Sequence, residues 1–222
     1  MGQWRNLTAA DGIGVQAYRA DPVGAPRGGL VVVQEIFGVN EHIRRLCDGF
    51  AEEGFVAVAP ALFDRYQRGV QMGYAPDDIA RGRQLKAHAR TDVALTDIAA
   101  ARLQVAGVGK VGIVGYCWGG FVTWMSAARL TGFACAVCYY GGGMVEAIDE
   151  KPRCPVMAHF GERDAGIPVD GVHRLSGAHP EVKVYLYDAD HAFNNDQRPS
   201  YNPAAAKLAR ERTLEFLTKN LG

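Results

Sequence analysis

The sequence predicts an α/β fold in which helices cover both faces of a mostly parallel sheet, with an antiparallel edge at the N-terminus. Short β-rich runs alternate with longer runs of helical pattern, an order typical of βαβ units. Most of the β-rich runs are continuously apolar, as expected for strands that are buried on both faces. The first thirty residues differ, because residues 4–7 and 15–20 flank Asp11-Gly12, a pair typical of hairpin turns.

Each apolar run is predicted to be one strand. The six strands of the parallel part lie at residues 30–33, 55–60, 111–115, 133–140, 155–161 and 182–187. No internal repeat, low-complexity tract or linker interrupts the alternation of strands and helices. The sequence therefore predicts a single domain over residues 1–222, a size at which a chain can bury a sufficient core without disulfides or metal ions.

Capping residues delimit the predicted helices. Asn40 is a favoured N-cap and Gly54 a favoured terminator, so one helix is predicted between them. Pro76 is predicted to open a long helix that runs to about residue 106 and that Gly82 would weaken. The other helices are predicted at residues 117–130, at 168–178 and from 203 onwards.

Composition excludes two classes of binding protein. Lys plus Arg number 24 and Asp plus Glu number 24, so the formal net charge is zero with histidine neutral. Binding of nucleic acid through bulk positive charge is therefore excluded, and so is a polybasic membrane-surface protein. The apolar fraction of 48% also argues against intrinsic disorder.

The chain carries no recognisable membrane or export signal. No apolar run approaches the ~18–20 residues of a membrane span, and no apolar signal-peptide core follows the first positive charge at Arg5. We therefore expect a cytoplasmic protein, favoured as a monomer, with a small-molecule substrate and with no nucleic-acid or membrane partner.

The five cysteines are odd in number and irregular in spacing, which indicates free thiols in a reducing compartment. Cys135 and Cys138 form a C-x-x-C pair, but they lie in a predicted strand, where positions i and i+3 point to opposite faces. One metal ion could not contact both, so they are expected to be buried structural residues. Because Gly-rich phosphate-binding motifs are absent too, neither a metal site nor a cofactor is expected.

The segment around Cys117 carries the strongest chemical signal. An apolar strand runs directly into a helix, with Gly115 before Cys117 and Gly119 and Gly120 after it. This pattern matches the nucleophile elbow G-x-S-x-G with cysteine in place of serine. Glycines relieve crowding in such a sharp turn, and the start of the helix favours a thiolate and aims the Trp118 N–H at a developing oxyanion. Close packing of a buried cysteine is the alternative explanation, which the strand-turn-helix context disfavours.

A nucleophile needs a base, and in this kind of fold the order along the chain is nucleophile, acid, histidine. His191 lies on the loop after the last predicted strand, where such a base is expected. The other histidines fit less well. His42 and His88 precede the elbow and lie on predicted helices, and His159 lies inside a predicted strand. His173 and His179 belong to a predicted surface helix and its end. His191 is therefore the predicted general base.

The acid that orients the base is predicted to be Asp164, in the turn after the preceding strand. Glu162 and Asp190 are alternatives, although Asp190 adjoins His191 in sequence and is poorly placed to approach its ring. A serine nucleophile is excluded, because none of the three serines, Ser126, Ser176 and Ser200, lies in an elbow.

Four blocks of the sequence resemble the dienelactone hydrolase (carboxymethylenebutenolidase-like) family of the α/β-hydrolase fold. They are QEIFGVN at 34–40, GYCWGG at 115–120, GERD at 161–164 with Ile167-Pro168, and HAF at 191–193. The resemblance implies a Cys-Asp-His triad of Cys117, Asp164 and His191, and an oxyanion hole made by the backbone N–H groups of Ile36 and Trp118. It also implies that Glu35 approaches the resting thiol and activates it when substrate binds.

One position departs from the pattern of dienelactone-specific members. These carry, four residues past the catalytic histidine, an arginine that pairs with the substrate carboxylate, whereas this chain has Asn195. A neutral amide cannot form such a bidentate ion pair. We therefore expect weaker discrimination in favour of carboxylate-bearing lactones. Asn195 and Arg81 are the predicted substrate contacts, with Arg83 and Arg198 as further candidate cations.

Taken together, the residues and the resemblance predict a hydrolase that forms an acyl-enzyme on Cys117 from a carboxylic ester or lactone. The resemblance also implies a role in the degradation of aromatic compounds. A broad-specificity esterase or thioesterase is the alternative enzyme. A non-catalytic binding protein built on the same fold is the alternative from another class, which an intact triad argues against.

Overall fold

One eight-stranded sheet runs through the protein, which a computed structural model describes over residues 1–222. In chain order the strands are β1 (Gln3–Thr8), β2 (Gly14–Ala20), β3 (Gly28–Val33), β4 (Phe55–Pro60), β5 (Val111–Tyr116), β6 (Cys135–Tyr139), β7 (Val156–Gly161) and β8 (Lys183–Tyr187). Their order across the sheet is β1-β2-β4-β3-β5-β6-β7-β8, and all pairs are parallel except β1 with β2 and β2 with β4. The predicted fold class and its antiparallel N-terminal edge are confirmed.

Six helices accompany the sheet: α1 (Glu41–Glu52), α2 (Pro76–His88), α3 (Thr91–Val105), α4 (Trp118–Arg129), α5 (Val169–Ala178) and α6 (Pro203–Leu221). Two neighbouring glycines show that helices lie on both faces. A Cβ atom on Gly28 would meet Leu221 of α6, whereas one on Gly29 would meet Val105 of α3. Since successive strand residues point to opposite faces, α3 and α6 cover opposite sides of β3.

Burial separates the central strands from the edge. Every residue of β3, β4, β5, β6 and β7 is buried, which explains their continuous apolar sequences. The edge strand β1 exposes all of its residues except Leu7. The buried centre of the protein is therefore this set of five parallel strands, from which the loops that follow them begin.

The single long helix predicted between residues 76 and 106 is wrong. The chain forms α2 and α3, because Ala89 and Arg90 are extended, with ψ of 119° and 135°. The N–H of Arg90 leaves the helical pattern and donates to the Tyr66 hydroxyl at 3.0 Å. Gly82 is not the weak point that was expected; it is buried in α2, where a Cβ atom would meet the Ile36 carbonyl oxygen at 2.5 Å.

The other capping predictions fit closely. Asn40 caps α1 by accepting a hydrogen bond from the Ile43 N–H at 3.3 Å, and Gly54 follows the helix with φ of 93°. The helices predicted to start at 117 and 168 each begin one residue later, because Cys117 and Pro168 are the N-caps. The strand predicted at 133–140 is shorter, since Tyr140 leaves the strand with φ of 36°.

All five cysteines are free, and Cys135 and Cys138 are buried in β6, as predicted. None of the six helices combines the length and the apolar character that a membrane crossing requires. No three His, Cys, Asp or Glu side chains are grouped in a way that could hold a metal ion.

A polar network lies between the sheet and α6, around His159 of β7. The ring is fully buried; Nδ1 lies 2.8 Å from the Tyr187 hydroxyl and Nε2 lies 3.1 Å from Thr213 Oγ1. Burial lowers the pKa of His159 to about 3, so the ring is neutral in the folded protein at neutral pH. Its place in the core fits the structural role expected from the sequence.

His159→Gln should lower the free energy of unfolding by about 1–3 kcal/mol, because two buried hydrogen bonds are disturbed, while kcat changes little. The folded-state pKa of His159 lies below the unfolded value, so the unfolded chain takes up a proton first and stability falls as the pH drops from about 6.5 towards 3. The variant should lose less stability over this range. Denaturant unfolding at two pH values tests this, with the exposed His88→Gln as control. Unchanged stability at neutral pH would contradict it.

Candidate active site

The turn from β5 to α4 consists of Cys117 alone, with φ of 55° and ψ of −119°. The neighbouring glycines leave no room for side chains. A Cβ atom would lie 2.0 Å from the Gly119 carbonyl oxygen if placed on Gly115, and 2.4 Å from the Val33 carbonyl oxygen if placed on Gly119. The glycine pattern around Cys117 therefore reflects backbone packed against backbone, and the result is the strand-turn-helix geometry expected of an elbow.

The Cys117 side chain borders a cavity of about 430 Å³ at the carboxyl end of the parallel strands. The cavity is lined by Ile36, Phe37, Ile79, Arg83, Lys86, Cys117, Trp118, Gly142, Asp164, Gly166, Ile167, His191 and Arg198. Cys117, Asp164, His191, Ile36 and Trp118, all of them predicted from the sequence, thus meet at one cavity. This lining, here called the cavity wall, combines apolar side chains with three cationic ones, Arg83, Lys86 and Arg198.

Asp164 and His191 form a short hydrogen bond. His191 Nδ1 lies 2.6 Å from Asp164 Oδ2, and the other carboxylate oxygen accepts from the Gly166 N–H at 2.9 Å. Burial alone would lower the pKa of His191, but the side chains of Asp164 and Cys117 outweigh it and raise the pKa to about 10. The imidazole is therefore held protonated at neutral pH, with its ring fixed by a buried carboxylate.

The two alternative acids do not reach the imidazole. Glu162 is exposed, and Asp190, whose side chain is about half exposed, lies 3.8 Å from Arg163 instead. Among the other histidines, His179 is buried rather than at the surface, because Nε2 lies 2.6 Å from the Ile148 carbonyl oxygen.

Glu35 is buried directly after β3, beside the cavity. Its Oε2 accepts hydrogen bonds from Asn195 Nδ2 at 3.1 Å and from the Tyr74 hydroxyl at 3.4 Å, whereas Oε1 has no hydrogen-bond partner. Burial raises the pKa of Glu35, although the charges of His191 and Arg198 act in the opposite direction. The result is a carboxyl group that can take up a proton more readily than an exposed glutamate.

Asn195 and Arg81, the predicted substrate contacts, do not line the cavity. Asn195 is fully buried and bound to Glu35, and exposed Arg81 does not line the cavity. The cations on the wall are Arg83, Lys86 and Arg198, and none of them forms an ion pair.

Sequence reasoning missed Ile79, Lys86 and Tyr74. A helical signal exists for two of them, since Ile79, Arg83 and Lys86 recur along α2 at the spacing of one helix face. Tyr74 lies in a loop, where no periodicity could indicate its contact with Glu35.

Comparison with known proteins identifies the family. A sequence model described as "Dienelactone hydrolase family" matches residues 15–221. The chain belongs to the dienelactone hydrolase family. Relatives named "putative carboxymethylenebutenolidase" include one from Azospirillum brasilense, 34% identical over 98% of each chain, and one from Synechocystis sp., 33% identical over 93% of this chain and 92% of the relative.

A solved structure of another dienelactone hydrolase family member supports the fold. The crystal structure of a "putative dienelactone hydrolase" from Klebsiella pneumoniae subsp. pneumoniae superimposes with a TM-score of 0.86, at 30% identity and 99% coverage of both chains. The resemblance inferred from the four sequence blocks is thereby confirmed, and the architecture is that of the α/β-hydrolase fold.

Cys117→Ala should abolish turnover of esters and lactones while the melting temperature stays within a few degrees of the parent value, because alanine fits the space of the thiol. An alkylating reagent should inactivate the parent protein in step with modification of Cys117. The matched control is Cys154→Ala, which removes a half-buried thiol away from the cavity and should keep full activity. Full activity in Cys117→Ala would contradict the assignment.

The hydrogen bond between Asp164 and His191 predicts that both side chains are needed for turnover. Asp164→Ala and His191→Gln should each reduce kcat by about 10²–10⁴, the usual worth of a positioned acid or base. Glu162→Ala should leave kcat within about twofold, because that side chain is exposed and does not contact the imidazole. Initial rates under saturating substrate measure this. The assignment of the acid is wrong if Glu162→Ala is the crippling change and Asp164→Ala is nearly silent.

Proposed function

We propose that the protein hydrolyses carboxylic esters and lactones through an acyl-enzyme on Cys117, with His191 and Asp164 completing a triad. The coarse class, a hydrolase acting on carboxylic ester bonds, follows from membership of the dienelactone hydrolase family. The observation that carries the finer proposal is the juxtaposition of the elbow cysteine with the hydrogen-bonded His191–Asp164 pair at one cavity.

The first step is attack of the Cys117 sulfur on the substrate carbonyl carbon. The thiol proton passes to the buried Glu35 carboxylate. The sulfur forms a bond with the carbonyl carbon, and the carbonyl oxygen takes the negative charge. The Ile36 N–H has no hydrogen-bond partner within the protein, and the Trp118 N–H is among the unpaired donors at the start of α4. Their free N–H groups support a role of Ile36 and Trp118 as the oxyanion hole.

Collapse of the tetrahedral intermediate breaks the ester C–O bond. Protonated His191 gives its Nε2 proton to the departing alkoxide, which for a lactone remains attached to the acyl group. Neutral His191 then takes a proton from water, and the hydroxide attacks the thioester carbonyl carbon. The C–S bond of this second tetrahedral intermediate breaks and the carboxylic acid product leaves. The Cys117 thiolate takes back the proton held by Glu35, which restores the starting state with His191 protonated. The raised pKa of His191 supports the first of these roles, since it keeps the imidazole protonated when the leaving group needs a proton.

The cations of the wall support a carboxylate-bearing substrate. Arg83, Lys86 and Arg198 face the cavity without carboxylate partners, and the Arg198 guanidinium lies over the rings of Phe37 and Tyr74 at 5.7 and 5.6 Å. Aromatic faces fix a guanidinium while leaving its N–H edge free to bind an anion. The substitution by Asn195 led us to expect weak discrimination in favour of carboxylate-bearing lactones. We propose instead that the cations of the cavity wall bind the substrate carboxylate.

A broad-specificity esterase or thioesterase is the second candidate, which the apolar side chains of Ile36, Ile79 and Ile167 in the cavity favour. A panel of lactones, acyl esters and thioesters, each with and without a free carboxylate, separates the two by their kcat/KM values. A chromogenic ester should show burst release of one equivalent per active site. Absence of hydrolysis across the panel would favour a binding protein.

Arg198→Gln and Arg83→Gln should each lower kcat/KM for a carboxylate-bearing lactone by about one to two decades, the worth of a charge-assisted hydrogen bond at ~1.5–3 kcal/mol. Activity on a matched neutral ester should change by less than about threefold. Arg81→Gln is the control, since this arginine lies on the same helix outside the cavity. Equal losses on the anionic and neutral substrates would contradict an anion-binding wall.

A further inference from the structure

We propose that Gly82 of α2 is a positioning residue for the oxyanion hole, because its lack of a side chain lets the helix lie directly on the backbone of Ile36. The inference rests on the proposed function, which gives the Ile36 N–H the task of stabilising the oxyanion. It assigns a role to a glycine that carries no reactive group and does not line the cavity.

The first observation is how closely α2 approaches the loop after β3. A Cβ atom on Gly82 would lie 2.5 Å from the Ile36 carbonyl oxygen, 3.1 Å from Ile36 Cγ1 and 3.3 Å from the Ile36 carbonyl carbon. The first of these distances is shorter than Cβ atoms approach other heavy atoms in proteins. Because that oxygen belongs to the backbone, it cannot rotate away as the end of a side chain could. An added methyl group would therefore displace either Ile36 or α2.

The second observation is that neither backbone polar group of Ile36 forms a hydrogen bond within the protein. The loop is anchored on both sides of this residue. The carbonyl oxygen of the preceding residue accepts from Gln34 Nε2 at 3.2 Å, and that of the next residue accepts from the Met72 N–H at 2.9 Å. Between these anchors the position of Ile36 depends on packing, and Gly82 is the part of α2 that packs against it.

The third observation is the place of Gly82 on its helix. It is the only buried residue of α2, and Ile79, Arg83 and Lys86, at spacings of −3, +1 and +4 from it, line the cavity. Glycine inside a helix costs about 1 kcal/mol relative to alanine. Helix formation therefore does not account for a glycine here, whereas close contact with the loop does.

These observations connect α2 with the chemistry at Cys117. A Cβ atom on Gly82 would push Ile36 by roughly 1 Å, and a displacement of this size can cost about a hundredfold in rate. Complete loss of one oxyanion-hole donor costs about 10²–10³ in kcat. Since the Ile36 N–H would be displaced rather than removed, the expected effect lies at or below the lower end of this range.

The test separates formation of the oxyanion from the reactivity of the thiol. Gly82→Ala should lower kcat for a neutral activated ester by about ten- to a hundredfold, whereas the rate at which methyl iodide alkylates Cys117 should stay within about twofold. Acyl transfer passes through an oxyanion, but alkylation by a reagent without a carbonyl group does not. An aldehyde analogue of the ester adds to the thiol and places its oxygen in the same hole, so its affinity should fall by a factor similar to that of kcat.

Two further variants support the comparison. Gly177→Ala is the matched control, because a Cβ atom on this glycine of α5 would meet nothing within 4 Å; kcat, alkylation and aldehyde affinity should all stay within about twofold. Leu85→Ala removes a half-buried apolar contact between α2 and the core and adds no atom, so it keeps the test valid where Gly82→Ala does not fold. It should lower kcat by about threefold, through a smaller displacement, and leave alkylation unchanged.

Three results with Gly82→Ala would overturn the inference. The first is a kcat equal to that of the parent. The second is an equal loss of kcat and of the alkylation rate, which would indicate general damage to the site. The third is a raised KM for a carboxylate-bearing lactone with kcat unchanged, which would show that α2 moves away while Ile36 stays.

Where Gly82→Ala does not fold, a parent-like kcat in Leu85→Ala overturns the inference equally. Failure of the proposed function is distinguishable from all of these results. It would appear as full turnover in Cys117→Ala, whatever the behaviour of Gly82→Ala.

Discussion

The left-handed backbone of Cys117 is the constraint on which the site depends. This conformation costs free energy in any residue other than glycine. It persists only where the surrounding structure enforces it. Here the Cys117 N–H donates to the Tyr139 carbonyl oxygen at 3.0 Å, and backbone atoms lie so close to Gly115 and Gly119 that neither position has room for a side chain. The turn lifts the thiol to the end of the sheet at which the loops after β3, β6, β7 and β8 converge.

The charged side chains of the site differ by sign in their exposure to solvent. The carboxylates of Asp164 and Glu35 are buried, whereas Arg83 is exposed and Arg198 is partly buried in the lining of the cavity. Asp164 and Cys117 together raise the pKa of His191, and burial raises the pKa of Glu35. In the proposed mechanism His191 is the proton donor and Glu35 the proton acceptor, while Arg83 and Arg198, which line the same cavity as Cys117, bind the substrate anion.

Short sequence patterns predicted the strands, the helix start and the turn that depend on neighbouring residues in the chain. Continuous apolar runs located the buried strands, Asn40 located the start of α1, and the glycines located the elbow. The helix break at Ala89–Arg90 could not be predicted, because it depends on a hydrogen bond to Tyr66, 24 residues earlier. The contact of Asn195 with Glu35 spans 160 residues, so the sequence suggested a substrate contact at a position that the fold buries.

In the proposed mechanism Cys117 carries the acyl group during turnover. The most direct measurement is the mass of the protein after rapid acid quenching during hydrolysis of an activated ester, followed by mapping of the modified peptide. A mass gain equal to the acyl group is expected, located on Cys117 and absent from Cys117→Ala. Complete hydrolysis in a single turnover without any adduct, or an acyl group on another residue, would contradict it.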